Sequence, residues 1–530
     1  MLFGFLILTK PFLRPTPAAA GFKIGSIPGF KDPKSTKSIF VSNIILILLN
    51  MASPSPKSTD SSLKILHSCN VSPPSSPTTI TTPSSLPFTF FDLFWLRFHP
   101  VELLYFYSIP DLHTSLFLDS IFPKLELSLS LTLQHFVPLA GRIIWPSHSS
   151  VPIIQYTPGD SISLVVAQSD HSHDFDLLSG KSPREASIAR PLIPHLDSSV
   201  SSASVFSLQI TLFPNRGFCI GISRHHAVFD GKSGDMFMKT WAYLCQTQLE
   251  TKSSSSSIQK PEPSFGREAI ADLNTANLDT VYANMWLQMD PTLNENNKPS
   301  LKISDHMFQP ILDQSIRATF ELRRGDLDKI KTRILEKWEE DQNVNPPRLS
   351  TFVLTTAYVS SCVVKAFERT EMKRENFVFG FTVDCRGRLG ASGVPENYFG
   401  NCVVPRISEE FSEEDGVVMI AKKIQSRIKE TLEKGVLEGA DTTVSRIFEV
   451  LSKGVKNIGV AGSTRFGVYG CDFGWGRPEK VEIASVDRSI TIGMTESRDG
   501  NGGGVEVTLV LNKNVMDCFA SLFYQDMESI

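Results

Sequence analysis

No C-x-x-C pair occurs anywhere in the 530 residues, and the eight cysteines are scattered. That excludes a zinc knuckle and a disulfide framework, so the thiols read as reduced and the protein as cytosolic. Long apolar runs are missing too. The two near the start, residues 2–8 and 39–49, fall short of the roughly 18 residues a membrane span needs. Neither sign of charge dominates: 52 Lys and Arg stand against 56 Asp and Glu, a net of −4, which excludes a basic nucleic-acid binder. No repeat of solenoid length is present. The apolar fraction is 41% before the 33 glycines are added, as in ordinary globular chains, so a disordered chain and a collagen are excluded. At about 150 residues per domain the length suggests two to four domains.

Common enzyme signatures are also absent. Gly180-Lys181-Ser182 and Gly231-Lys232-Ser233 lack the leading glycine of a phosphate-binding P-loop. Without a G-x-S-x-G elbow an α/β-hydrolase is excluded. Asp472-Phe473-Gly474 resembles the kinase magnesium motif, yet no H-R-D loop or V-A-I-K strand accompanies it. No His or Cys falls near His226 at ligand spacing, so no metal is expected.

Along the chain, residues 1–50 carry six basic residues against one acidic. They read first as a mis-called upstream extension before Met51-Ala52-Ser53-Pro54, then as a transit segment, and last as a membrane anchor. Residues 51–85 are a Ser/Pro-rich lead with one strand near 63–69. Apolar spacing in 112–136 predicts a helix with a break or fresh turn at Pro123. Strands are predicted at 153–156, 162–166, 205–213 and 217–222, and a helix at 233–249. Residues 251–300 read as a surface crossover. Beyond it come strands at 316–322, 378–383, 458–460 and 505–511 and helices at 325–340, 350–367 and 422–435. Helices and strands in both halves give a mixed α/β (α+β) class with two similar domains, 86–250 and 301–530.

Three stretches carry chemistry. In the first, an apolar strand delivers His225 and His226 to its end, and Asp230-Gly231 turns into a helix. Imidazole suits general-base work because its pKa lies near neutrality, and a carboxylate four residues on can fix the turn. Alone the spacing is weak: with 11 histidines, about half a chance match to H-x-x-x-D is expected, and a core histidine at a strand end is the rival reading. The second stretch, Asp472–Gly476, reads as a structural loop whose glycines permit unusual backbone, with Asp472 holding it. The third runs from Arg386 and Arg388 to Asn397-Tyr398-Phe399-Gly400-Asn401-Cys402, a place to hold an anion or a solvated turn.

In this order and spacing, the three stretches resemble the BAHD family of plant acyl-CoA-dependent acyltransferases. Its two signatures are intact as His226…Asp230 and Asp472–Gly476. The likeness runs from about Leu86 to the C-terminus, and Tyr398–Cys402 resembles the anthocyanin and flavonoid glucoside malonyltransferase clade. The resemblance implies two chloramphenicol-acetyltransferase-like domains joined by a long crossover, with an active-site channel at their interface. It implies an acyl-CoA co-substrate, malonyl-CoA first and a hydroxycinnamoyl-CoA as rival donor, and a phenolic glucoside acceptor. No bound cofactor, nucleic acid or membrane is implied, and a monomer is expected; a catalytically silent homologue is the alternative from another class. His226 would be the base. Asp230 would point away from the cleft and shape the turn through an ion pair, and Asp472 would be structural or a proton acceptor. For the CoA phosphates the helix opening at Ser350 and Thr351 is the candidate; for a malonyl carboxylate, Arg386 and Arg465. Gly266 and Ser360 depart from the family's usual residues.

Overall fold

Residues 206–224 carry two apolar strands separated by a Pro-Asn-Arg turn, and they close as a hairpin. Phe206–Phe213 pairs antiparallel with Gly217–Arg224, and every residue of both is buried. Gly217 is required at the corner: its φ is +150°, and a Cβ there would lie 2.0 Å from the carbonyl oxygen of Tyr107. The computed structural model describes residues 63–74, 83–171, 174–249, 262–274, 276–289, 300–303, 314–339, 349–389, 393–499 and 502–528. The expectations for residues 1–50 lie outside these.

Strands are numbered in chain order. The first sheet has six, in the order β1 (Leu63–Val71), β6 (Ile162–Ser169), β9 (Phe206–Phe213), β10 (Gly217–Arg224), β3 (Val101–Ser108) and β15 (Lys480–Ile483). The second has seven: β13 (Val403–Ile407), β12 (Phe377–Asp384), β14 (Lys456–Gly462), β16 (Thr491–Glu496), β17 (Val505–Asn512), β11 (Ser315–Leu322) and β7 (Arg184–Glu185). A small antiparallel sheet joins β2 (Ser85–Pro87), β5 (Ile153–Gln155), β4 (Arg142–Ile144) and β8 (Ser202–Ser204). The helices used below are α1 (Phe90–Leu93), α2 (Phe122–His135), α3 (Gly231–Leu249), α4 (Leu278–Met289), α5 (Arg324–Glu339), α6 (Thr351–Glu371), α7 (Gly416–Lys434), α8 (Ala440–Ser452) and α9 (Lys513–Glu528). The mixed α/β class with two sheet-centred cores is the one the sequence predicts.

The chain order of the two domains is not the order of the folded cores. β15 comes from the second half yet completes the first sheet beside β3, and β7 comes from the first half yet edges the second sheet beside β11. Cys385, Leu389, Val394 and residues 398–404, with residues 468–473, likewise pack into the first core. The exchange is fastened by buried ion pairs. Arg184 and Arg317 both reach Glu482, at 2.5 and 3.2 Å, and Arg317 also donates to the carbonyls of Ile483 and Ala484. Burial works to raise the Glu482 pKa, but the two guanidiniums outweigh it and hold the group below its ordinary value.

The expected surface crossover is in part buried: Arg267 and Ile270 are buried, and Ser264 forms a β-bridge with Tyr398. Residues 278–289 form α4, whose Tyr282 and Trp286 are buried in the first core. Trp286 Nε1 donates to the carbonyl of Leu93 at 2.7 Å, and Arg97 returns a bond to the carbonyl of Trp286. Two aromatics four residues apart anchored this polar-looking stretch, too sparse a signal to read as a periodic face. The predicted helix of 112–136 is broken as Pro123 suggested: a π-helical turn, Phe117–Ile121, ends where α2 begins, with Pro123 in its first turn.

Candidate active site

β10 ends in Arg224, and the chain then turns through His225 and His226 into α3. The turn is held from inside. Arg224 donates to the carbonyls of Phe229 and Asp230 at 2.8 and 2.9 Å, and its guanidinium lies 4.4 Å from the Phe229 ring centroid. Asp230 caps α3, its Oδ1 accepting from Ser233 N at 3.0 Å. Gly231 leaves room for Phe466, since a Cβ would sit 2.7 Å from that ring. His225 is fully buried, and burial lowers its pKa to about 4, so it is a neutral core side chain.

His226 meets the second half of the chain through its backbone carbonyl, which accepts from Asn401. Its ring lies flat on the indole of Trp95, with centroids 3.8 Å apart and planes 2° apart. Phe98 meets it edge-on at 6.1 Å. The residue keeps 8% of its surface, while Nδ1 is buried without a hydrogen-bond partner. Burial, then the nearby Arg224 guanidinium, hold its pKa well below 6.5. The imidazole is therefore neutral at pH 7, which leaves a nitrogen lone pair for a proton.

The backbone at His226 is braced across the junction. Asn401 Nδ2 donates to the His226 carbonyl at 3.1 Å and to Asp92 Oδ1 at 3.1 Å, and its amide N donates to the same oxygen. Asp92 in turn closes a capping box with Thr89 at the start of α1. Sequence reading missed Asp92, Trp95 and Asn401 as site residues. The only signal was their place inside Leu86–Leu96, noted for resemblance, and Tyr398–Cys402, noted as a place to hold an anion.

Asp230 points away from His226 into an ion pair. Its Oδ2 accepts from Arg386 at 2.8 Å and from the amide of Cys402 at 3.0 Å, and Arg386 also reaches Oδ1 at 3.2 Å. Arg386 was expected to be a candidate for a donor carboxylate, and the structure corrects that. Its side chain is 0% exposed, and its donors are engaged by Asp230, Asp384, Ser233 and the carbonyls of Tyr398 and Gly400. Burial disfavours its charge, but Asp230 more than compensates and raises its pKa. Nothing is left over for a ligand.

Asp472 binds its own loop. Oδ1 accepts from Gly474 N at 2.7 Å and Gly476 N at 3.0 Å, with both glycines near φ +100°. Tyr107 donates to the carbonyl of Cys471, and Phe473 packs edge-on to Trp241 at 4.9 Å. Trp475 lies against Phe218, at the start of β10. Six residues of strand at about 3.3 Å each place this loop ~20 Å from the end of β10, where His226 sits. Arg465 is exposed on the loop after β14, one residue from the Phe466 that packs on Gly231. Ser350 is the N-cap of α6, its Oγ accepting from Val353 N at 3.3 Å, and Thr351 opens the helix. Among the described residues no helix is long and apolar enough to cross a membrane.

Two sheet-centred cores with exchanged strands make up the fold. The crystal structure of vinorine synthase superposes with a TM-score of 0.61 at 18% identity, covering 86% of this chain and 96% of that one. Sequence comparison is more specific. The phenolic glucoside malonyltransferase 1 of Arabidopsis thaliana is 38% identical over 490 residues, 89% of this chain and 99% of the relative. The malonyl-CoA:anthocyanidin 5-O-glucoside-6''-O-malonyltransferase of the same plant is 37% identical over 482 residues, 88% of this chain and 99% of the relative. The family described as Transferase matches residues 66–526. The chain belongs to this Transferase family, the acyl-CoA-dependent BAHD acyltransferases.

Proposed function

We propose that this protein is a cytosolic, monomeric malonyltransferase that acylates a sugar hydroxyl of a phenolic or flavonoid glucoside from malonyl-CoA. The observation that carries the chemistry is the buried, neutral imidazole of His226, whose lone pair is free at physiological pH. The likeness to glucoside malonyltransferases over nearly the whole chain supports the substrate class.

In this reading the two substrates enter a channel between the two halves and meet at His226. The base takes the proton of the sugar hydroxyl, and the oxygen attacks the thioester carbonyl. The tetrahedral oxyanion collapses, the C–S bond breaks, and the imidazolium returns its proton to the leaving thiolate. Holding both substrates at once makes the step effectively unimolecular, so no acyl-enzyme is required. Burial raises the Cys385 and Cys362 thiols to about 12, which fits a route without a cysteine nucleophile. Asp230 and Arg386 act at one remove, as the buried clamp that sets the turn. Arg465, exposed beside the Gly231 turn, remains the candidate for the malonyl carboxylate, and the α6 N-terminus at Ser350 and Thr351 the candidate for a CoA phosphate.

The test is a donor panel with purified protein and a pool of phenolic glucosides, read by mass spectrometry. A product heavier by one malonyl group on the sugar is expected. Turnover of coumaroyl-CoA without turnover of malonyl-CoA would overturn the donor assignment, and binding without turnover of any donor would favour a silent homologue.

A further inference from the structure

The environment of His226 poses an electrostatic problem that the general-base reading creates. A base that accepts a proton becomes an imidazolium, and this one does so in a site that penalises charge. The charged and titratable groups facing the ring make matters worse. Arg224 on β10 and His99 beyond α1 both disfavour protonation. Asp92 is engaged by Asn401 and Thr89, and Asp230 is turned toward Arg386. The hydrogen bond that favours the charged form comes from the histidine's own backbone.

What lies against the ring is an indole. Trp95 covers one imidazole face at a centroid distance of 3.8 Å with the planes 2° apart. Phe94 at 5.0 Å and Phe98 at 5.2 Å meet Trp95 edge-on and lock its orientation. Packing alone does not account for a tryptophan here. Its Nε1 is buried without a hydrogen-bond partner, a loss that a phenylalanine or leucine would avoid. The indole is retained at that cost, which points to use of its π face.

We propose that Trp95 is a positioning residue for the base: its indole face orients the His226 ring and stabilises the imidazolium formed by proton transfer through a cation–π interaction. The electron-rich face of tryptophan is the best of the side-chain acceptors for such a contact, and desolvation strengthens it. The inference rests on His226 being the base, but not on the identity of donor or acceptor.

The experiment is an NMR titration of the full chain labelled at histidine, without substrate, with the His226 signal assigned from a His226→Gln variant. Trp95→Phe keeps a ring with a weaker face, and Trp95→Leu removes the π system while filling much of the volume. The expected order of His226 pKa is wild type, then Phe, then Leu, with a fall of about 0.5–1 unit from first to last. If opening the site to water were the dominant effect, the order would reverse, and that result or an unchanged value overturns the proposal. Should the Leu variant fail to fold, the Phe variant alone must show a fall of a few tenths of a unit. Where turnover has been established, kcat should fall in the Phe variant with KM unchanged. The titration stands even if the malonyl donor proves wrong, so the two failures are distinguishable.

Discussion

At the scale of single residues, one short motif contains side chains with opposite duties. His226 stacks on Trp95 with an unpartnered Nδ1, while Asp230, four residues on, turns into a closed clamp with Arg386. His226→Ala should therefore reduce transfer by about 10³-fold, with some loss of melting temperature because the buried ring stacked on Trp95 goes with the proton acceptor. Asp230→Ala should act otherwise. It leaves the Arg386 guanidinium buried with only the half-exposed Asp384 as counter-ion, and breaking such a pair costs about 3–5 kcal/mol. A clear drop in denaturant midpoint is expected; an inactive variant with wild-type stability would instead place Asp230 in the chemistry. Because burial and Arg224 hold the His226 pKa below 6.5, kcat/KM should stay level from pH 8 down through 6.5 and fall only at lower pH. An acid limb centred at 7 or above would contradict that environment.

At the scale of elements, loops and strand ends carry the cross-chain connections. The Asp472 loop is tied by one carboxylate oxygen to two glycine amides, so Asp472→Asn, which keeps an acceptor there, should retain most activity. Asp472→Ala should lose loop order and stability together. Equal inactivation by Asn and Ala would assign the carboxylate a proton-accepting role. Elements with long apolar or strongly periodic signals were legible in the sequence: β9, β10, α3, α6 and β17 lie within a few residues of the predicted spans. Others were not. β15 is four residues long and all buried, a run too short to separate from a turn, and it exists because β3 offers an edge. Helices α8 and α9 have amphipathic faces that a reading focused on motifs passed over.

At the scale of the whole molecule, the two halves are interlocked more than they are juxtaposed. β7 and β15 cross in opposite directions, and Arg184, Arg317 and Glu482 bind the crossing points. Glu482→Gln should weaken both halves in a single unfolding transition, because it leaves two buried guanidiniums without their shared carboxylate. The pH dependence has a defined sign. With its folded pKa depressed, Glu482 contributes stability that is fully present above the unfolded glutamate value, about 4.3, and is lost as pH falls through the folded value. Comparing wild type with Glu482→Gln, the stability gap should be widest near neutrality and close in acid. A gap that grows toward low pH would refute the assignment of charge.

The sequence alone determined the apolar strands, the strand-turn-helix that carries His226, and the family to which both signatures belong. These depend on residues close together in the chain, where periodicity and turn chemistry act. Only the tertiary structure decided that Arg386 is consumed by Asp230, 156 residues away, that Asn401 braces His226 against Asp92, and that Trp95 lies flat on the base. Such contacts arise from how two sheets meet, and no local pattern encodes which distant partner a buried charge or ring will find.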